Sequence, residues 1–327
     1  MDSLDRRLVH ALYVDGRAPF SRIAEVLGAS DQMVARRYHR LGREAGLRVL
    51  GRLDARRPGE AEWVVRLRCA PGASHTVAGA LAGRADTRWV RLASGGTEVV
   101  CVVQADSGWD RDAFLPSKLP ATRSVTAISA YAVMHVFRGG PTSWQGVTRA
   151  LSDDEVAGLT PPPPDPGGTS GATGPTVPSE GDRALLDELG RDGRATLAAL
   201  AAATGWHEAT VRRRIAQLRA SGVLYFDIDV EDRVLGYSGT SLLWITMEPA
   251  QLSAAGEELA RHPQVAFAAA TTGPSNLLAS VLCPDVRALY HYIGHQVGPL
   301  PGIRAIESAP IIRTVKRAGP IGDPGRD

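Results

Sequence analysis

The sequence predicts an α+β chain in which one plan is laid down twice: a helix-turn-helix domain followed by a ferredoxin-like βαββαβ domain. Three observations predict it. Residues 20–41 (FSRIAEVLGASDQMVARRYHRL) read as two short helices about a tight turn. Residues 197–218 (LAALAAATGWHEATVRRRIAQL) repeat that pattern at a shift of 177. Behind each copy the apolar period changes from helical to alternating, the mark of strands, and repetition on this scale governs the reading of the whole chain.

The elements follow in order. Residues 3–15 form a first helix with Leu4, Leu8, Ala11 and Leu12 as its stripe, ended by Asp15-Gly16. Ile23, Ala24 and Leu27 share a face of the second, and Gly28 supplies the positive φ of the turn. Ser30 is a good N-cap for the third helix. Val34, Tyr38 and Leu41 are spaced to share its buried face. Gln32, Arg36, His39, Arg40 and Arg43 then point away from that face. A short helix offering amide and guanidinium groups on its free side is what reading a DNA major groove requires. Gly46 leads out to a short strand at 47–53, and Arg56-Arg57-Pro58-Gly59 reads as a turn.

Strands are then expected at 62–69, 87–93, 98–104 and 123–137. A helical run around Val77, Ala80 and Leu81 and another at 109–119 separate them. That order is the split βαβ, ferredoxin-like arrangement. A short helix capped by Ser152 follows, and then PPPPDPGGTSGATGPTVPS at 161–179, whose composition reads as a linker. The second half repeats the plan, with helices at 182–188, 251–261 and 285–297 and strands at 239–247, 264–271, 277–283 and 302–315. Asp15-Gly16-Arg17-Ala18 falls on Asp192-Gly193-Arg194-Ala195, and Arg36-Arg37 on Arg213-Arg214. In the strand domains the shift becomes 178, laying Gly95 on Gly273 and Trp89 on Phe267. The domains expected are therefore 1–50 and 180–226 (helix-turn-helix), 51–140 and 227–317 (ferredoxin-like), 141–179 (linker) and 318–327 (tail).

Composition narrows the function classes. A chain of 327 residues implies more than one domain. The net charge of +2 leaves any basic surface local. Lys118 and Lys316 are the only lysines, and arginine favours bidentate contacts to phosphate or guanine. Cys69, Cys101 and Cys283 lie far apart in apolar runs, which is neither a disulfide framework nor a zinc spacing. His291 and His295 stand i, i+4 without a third ligand, so no metal and no cofactor is expected. With no secretion signal and no apolar run of membrane-spanning length, the expected place is the cytoplasm.

These residues resemble the Lrp/AsnC family of transcription regulators. The carrying motifs are Leu4-Asp5, Asp15-Gly16-Arg17, Leu27-Gly28-Ala29-Ser30, Val34-Ala35-Arg36-Arg37 and Gly46-Leu47. Gly205, Val211 to Arg214 and Gly222-Val223-Leu224 carry it in the second copy. The resemblance implies an N-terminal DNA reader joined to a ferredoxin-like (RAM-type) module that binds small effectors, often amino acids. It also implies double-stranded DNA as partner, an intramolecular pseudo-dimer from the two fused units, and further association between chains. For DNA contact the resemblance and the helix faces single out Ser30, Asp31, Gln32, Arg36, Arg37, His39 and Arg40. In the second copy they single out His207, Glu208, Thr210, Arg213, Arg214 and Gln217. Arg37 and Arg214 are assigned to phosphate or to salt bridges within the module. The family's effector turn falls on Ser94, Gly95, Gly96, Thr97 and Glu98, and again on Thr272, Gly273, Pro274, Ser275 and Asn276. Neither copy keeps the family's usual aspartate, but a glycine turn still offers backbone N–H groups to a carboxylate.

No nucleophile–base pair, P-loop or paired-carboxylate signature is present, so the chain is expected not to be an enzyme. Two rival readings remain. One is a sirohaem-decarboxylase-like enzyme, which such architectures also serve; residues 89–97 and 265–275 lack the histidine it carries there. The other is an effector-sensing partner protein with decayed readers, in keeping with His207 where Ser30 caps the first copy.

Overall fold

The computed structural model describes residues 1–54, 61–105, 124–140, 150–161 and 178–319. The expected helix at 109–119, the turn at 56–59, most of the linker and most of the tail lie outside the described residues. The chain divides into two compact units that cut across the repeat: residues 1–54 with 140–235, and residues 55–139 with 236–327.

The first unit holds both helix-turn-helix modules. In the first, α1 (Ser3–Val14), α2 (Phe20–Leu27) and α3 (Asp31–Ala45) pack through Leu8, Leu12, Ile23, Val34 and Leu41. In the second, α6 (Arg183–Arg191), α7 (Leu197–Thr204) and α8 (Glu208–Ala220) pack through Leu185, Leu189, Leu200, Val211, Ile215 and Leu218. The turn glycines Gly28 and Gly205 sit at φ of 64° and 72°, left-handed as the sequence requires. Between the modules, β1 (Arg48–Leu53) pairs antiparallel with β6 (Leu224–Asp229), from Arg48 opposite Asp229 to Leu53 opposite Leu224. The sequence had indicated β1 alone. In β6 the aspartates 227 and 229 mask the alternation, and the strand exists through its pairing with the other copy.

Residues 150–161 also belong to this unit, so that part of the expected linker is not linker. Helix α5 (Asp153–Leu159) starts at a capping box between Ser152 and Glu155. It docks on α1 and α2: Leu159 is buried, Glu155 pairs with Arg7, and Arg22 Nε donates to Gly158 O at 2.9 Å. His10 Nδ1 accepts the Leu151 N–H at 3.1 Å, and burial lowers the pKa of that imidazole.

The second unit is a closed eight-stranded barrel. Its strands are β2 (Ala61–Cys69), β3 (Thr87–Ala93), β4 (Glu98–Ala105) and β5 (Val125–Arg138), with β7 (Gly239–Met247), β8 (Val265–Thr271), β9 (Leu277–Cys283) and β10 (Ile303–Lys316). The order is β10-β3-β4-β2-β5-β8-β9-β7. Within each module the strands run 2-3-1-4, as in a ferredoxin-like sheet. The fourth strand of each module pairs with the second of the other, so neither sheet keeps a free edge there. Helix α4 (Ser74–Ala82) covers one sheet; α9 (Leu252–Arg261) and α10 (Val286–Tyr292), which runs on into a π turn, cover the other. Between the sheets lie Val64, Val100, Tyr131, Leu242, Trp244 and Leu278.

Candidate nucleic-acid interface and effector turns

The two readers are held by a reciprocal clamp. Arg17 donates to the carbonyls of Gly193 and Ala195 at 2.6 and 3.0 Å. Arg194, its counterpart, donates to those of Gly16 and Ala18 at 2.6 and 2.9 Å. Each repeated Asp-Gly-Arg-Ala motif thus supplies both the arginine and the acceptors for the other. Arg194 lies over the rings of Phe20 and Tyr38, and Arg17 over Phe226. Burial lowers the pKa of both guanidinium groups, and for Arg17 the charge of Arg194 adds to it. Gly16 and Gly193 carry no side chain because a Cβ would stand 2.8 Å from Val49 Cγ1 in one case and 2.9 Å from the Val49 backbone in the other.

On the first reader Ser30 caps α3, its hydroxyl accepting from Met33 N at 3.2 Å, and Asp31 follows in the first turn. Gln32, Arg36 and His39 are exposed. Arg37 and Arg40 are not free for DNA. Both reach back to the buried Asp5, each at 2.7 Å, and Arg37 also takes Asp2 while Arg40 takes Glu44. Burial would raise the Asp5 pKa, but the hydrogen bonds from Arg40 and Arg37 hold it below the ordinary value. On the second reader Arg214 grips the buried Asp182 with Nε and Nη2 at 2.7 and 2.6 Å, and this pulls the carboxyl to about 2. Arg40, expected to contact DNA, is engaged by Asp5 and Glu44 instead, and that expectation is corrected; for Arg37 and Arg214 the salt-bridge alternative is the one observed. Gln217, at Arg40's position, is exposed and accepts weakly from Arg214 at 3.4 Å. His207 and Glu208 are exposed, Thr210 is half-buried, and His207 makes no capping bond. Arg36 and Arg213 are exposed, and among the described residues neither has a hydrogen-bond or ion-pair partner. They occupy equivalent places on α3 and α8.

In the barrel, Ser94, Gly95, Gly96 and Thr97 join β3 to β4, with φ of 52°, 69° and 83° at the first three. Glu98 does not face a ligand, and that expectation is corrected. It is buried, held by Arg66 at 2.8 and 3.0 Å, and takes the Ser94 hydroxyl at 2.9 Å. Arg66 also pairs with Glu307 and lies over the Trp244 ring. The corresponding Asn276 is turned to its own chain, accepting from Met247 N at 2.8 Å and donating to Met247 O at 3.1 Å. Ser275 and Pro274 carbonyls accept from Thr271 and Thr246. The sequence carried the turns but not these pairings, because Arg66, Trp244 and Glu307 come together only when the sheets face each other. The three cysteines are buried thiols. Among the described residues no three histidine, cysteine or acidic side chains cluster as metal ligands, and no helix is long and apolar enough to cross a membrane. His295 Nδ1 lies 3.0 Å from the carbonyl of His291.

Comparison with known proteins agrees with this architecture. The AsnC-type helix-turn-helix domain matches residues 1–42 and 179–219, and the Lrp/AsnC ligand binding domain matches residues 240–321. The chain is similar to HTH-type transcriptional regulator FL11 of Pyrococcus horikoshii, 26% identical over 41% of this chain and 89% of that protein. It is 31% identical to an uncharacterized HTH-type transcriptional regulator of Pyrococcus abyssi over 42% of this chain and 87% of that one. Among solved structures, the siroheme decarboxylase NirDL matches 97% of this chain and 93% of its own, with a TM-score of 0.59 at 13% identity. That likeness overturns the expectation that the chain is not an enzyme: the tandem architecture is shared with an enzyme and gives no ground for excluding catalysis. The helix-turn-helix at two places, the ligand-binding module and the 31% relative covered over most of its length lead to one conclusion: the chain belongs to the Lrp/AsnC family.

Proposed function

We propose that this protein is a sequence-specific DNA-binding transcription regulator of the cytoplasm, responding to a small effector such as an amino acid or a related metabolite. Its two unlike readers act as an intramolecular pseudo-dimer on an asymmetric site. The observation that carries the reading is the matched pair Arg36 and Arg213. Each is exposed on the third helix of its module, and the reciprocal Arg17/Arg194 clamp holds the two modules together. Exposed Gln32 and His39 beside Arg36, and Glu208, Thr210 and Gln217 beside Arg213, give the two readers different chemistry. The relatives named as transcriptional regulators support the same reading. The test is footprinting on DNA upstream of the protein's own gene and on genomic fragments, with wild type, Arg36→Ala and Arg213→Ala. Each substitution is expected to erase one protected half-site at a cost of about 1–3 kcal/mol. Loss of both halves by either one contradicts two independent readers. The effector is expected to shift DNA affinity by about 1–3 kcal/mol.

One observation favours a second reading, catalysis on a tetrapyrrole: the likeness to siroheme decarboxylase NirDL runs through both units, not one module. Titration with sirohaem, followed by its absorbance band, tests it. An unshifted spectrum at saturating protein removes the reading.

A further inference from the structure

We infer that only the first of the two effector turns takes a ligand, that the ligand is an apolar amino acid, and that the second turn is closed by the chain's own Tyr131. The inference rests on the effector-binding reading above.

The two turns occupy equivalent places, and the residues facing them differ. At the second turn, a Cβ on Gly273 would stand 2.7 and 2.8 Å from Cδ1 and Cε1 of Tyr131. That ring is buried and packed 4.8 Å from Trp244, so it is fixed over the glycine. The backbone closes around it. Thr272 N donates to Ala132 O at 3.0 Å, and Ala132 N donates to Thr272 Oγ1 at 2.9 Å. Asn276, Ser275 and Pro274 are all bonded within the chain. Those bonds hold the turn in shape, and the packed ring is what a ligand would have to displace.

At the first turn the shift of 178 puts Ala309 where Tyr131 stands and Pro310 where Ala132 stands. Alanine has no ring to lay over Gly95. Proline has no N–H, so the bond that Ala132 N donates at the second turn has no counterpart here. Among the described residues nothing lies within 4 Å of a Cβ built on Gly95. Gly96 is approached by Ile312 Cδ1 at 4.0 Å, and Ile312 is itself 47% exposed. The turn is held by its own groups, Ser94 to Glu98 and Thr97 to the Ser94 carbonyl.

The same residues set the ligand's character. Glu98 is neutralised by Arg66 and buried, so it offers no free charge to a basic side chain. The exposed Ile312 gives an apolar side chain something to cover. Glycines at Gly95 and Gly96 leave the backbone bare for the ligand's polar end.

Isothermal titration of the full chain with leucine, methionine and phenylalanine, and with glutamate and arginine as charged controls, tests this. Apolar amino acids are expected to bind at one per chain and the charged ones not to bind. Tyr131→Ala is expected to raise the stoichiometry to two. Ala309→Tyr is expected to abolish binding to the first turn; should it not fold, Ile312→Glu on the surface replaces it and is expected to weaken leucine about tenfold. Two sites per wild-type chain, or one site indifferent to these changes, overturns the inference and leaves the effector reading standing. No heat with any of these amino acids overturns this inference and leaves only a related metabolite for the effector reading.

Discussion

The two helix-turn-helix modules agree where they face inward and differ where they face out. Leu8 and Leu185, Leu12 and Leu189, Val34 and Val211, and Leu41 and Leu218 are buried at matching places. Both clamps, Arg17 to Gly193 and Ala195 and Arg194 to Gly16 and Ala18, are kept. The anchoring of the third helix has drifted. Asp5 is gripped by two arginines, Asp182 by Arg214 alone, with Ser179 supplying further donors. The cap has drifted further, from Ser30 to His207. What must fit the other copy is constrained from both sides; what faces outward is free to diverge.

The clamp should therefore be where substitution costs most, and it should cost unequally. Arg194→Ala strips two carbonyls of their donor and removes the packing over Phe20 and Tyr38. A loss of about 3–5 kcal/mol is expected. Arg17→Ala exposes equivalent carbonyls but removes packing over Phe226 alone, so about 2–3 kcal/mol is expected. Urea unfolding of the full chain measures both. Equal losses would mean that the hydrogen bonds, not the aromatic contacts, carry the clamp.

How much of this the residues announced depends on whether a feature lies within one copy or between copies. Gly28, Gly205, Ser30 and the Val34/Leu41 face are local, and the sequence indicated them because a left-handed turn, a cap and a helical stripe each need particular residue types within a few positions. The Asp-Gly-Arg-Ala repeat was visible as a repeat. Its reciprocity was not, because the acceptors are backbone carbonyls, which every residue has. Strand β6 was missed for the same reason: its partners lie far along the chain, as in the pairs Arg48–Asp229 and Leu53–Leu224. Glu98 was read as a ligand group from its place in the turn, and Arg66, on another strand, holds it instead. The room over Gly95 is set by Ala309 and Pro310, far along the chain, so no spacing around the turn could reveal it.

The anchoring acids should separate the modules by pH. Asp182 titrates at about 2 in the folded chain, because Arg214 and Ser179 hold its charged form, against 3.8 for an ordinary aspartate. A depressed carboxyl contributes stability above the unfolded value and loses it as pH falls toward the folded one. Asp182→Asn is expected to cost on the order of 2 kcal/mol at neutral pH. The gap from wild type should close between about pH 4 and pH 2, again by urea unfolding. Arg214→Ala should remove the same stabilisation at neutral pH and flatten the acid dependence of the first unit, since it removes the largest cause of the depressed Asp182 pKa. Arg37→Ala should do less, because Arg40 still holds Asp5.

The smallest effect is also the one that tests drift at the cap directly. Ser30→Ala removes the hydroxyl that accepts from Met33 N and is expected to cost about 1 kcal/mol. His207→Ser should move the other way, because the backbone at His207 is already extended (φ −72°, ψ 147°), as at Ser30 (φ −87°, ψ 149°), and only the acceptor is missing. A gain of about 0.5–1 kcal/mol is expected. Thr210 N, three residues on, already bonds to the His207 carbonyl at 2.9 Å, so the serine must compete for that donor and the gain belongs at the lower end. If His207→Ser stabilises α8 and leaves the second half-site protected, the histidine is a lapsed cap. If it stabilises α8 and weakens that half-site, the imidazole was retained for DNA, and the poorer cap is the consequence of reading a different sequence.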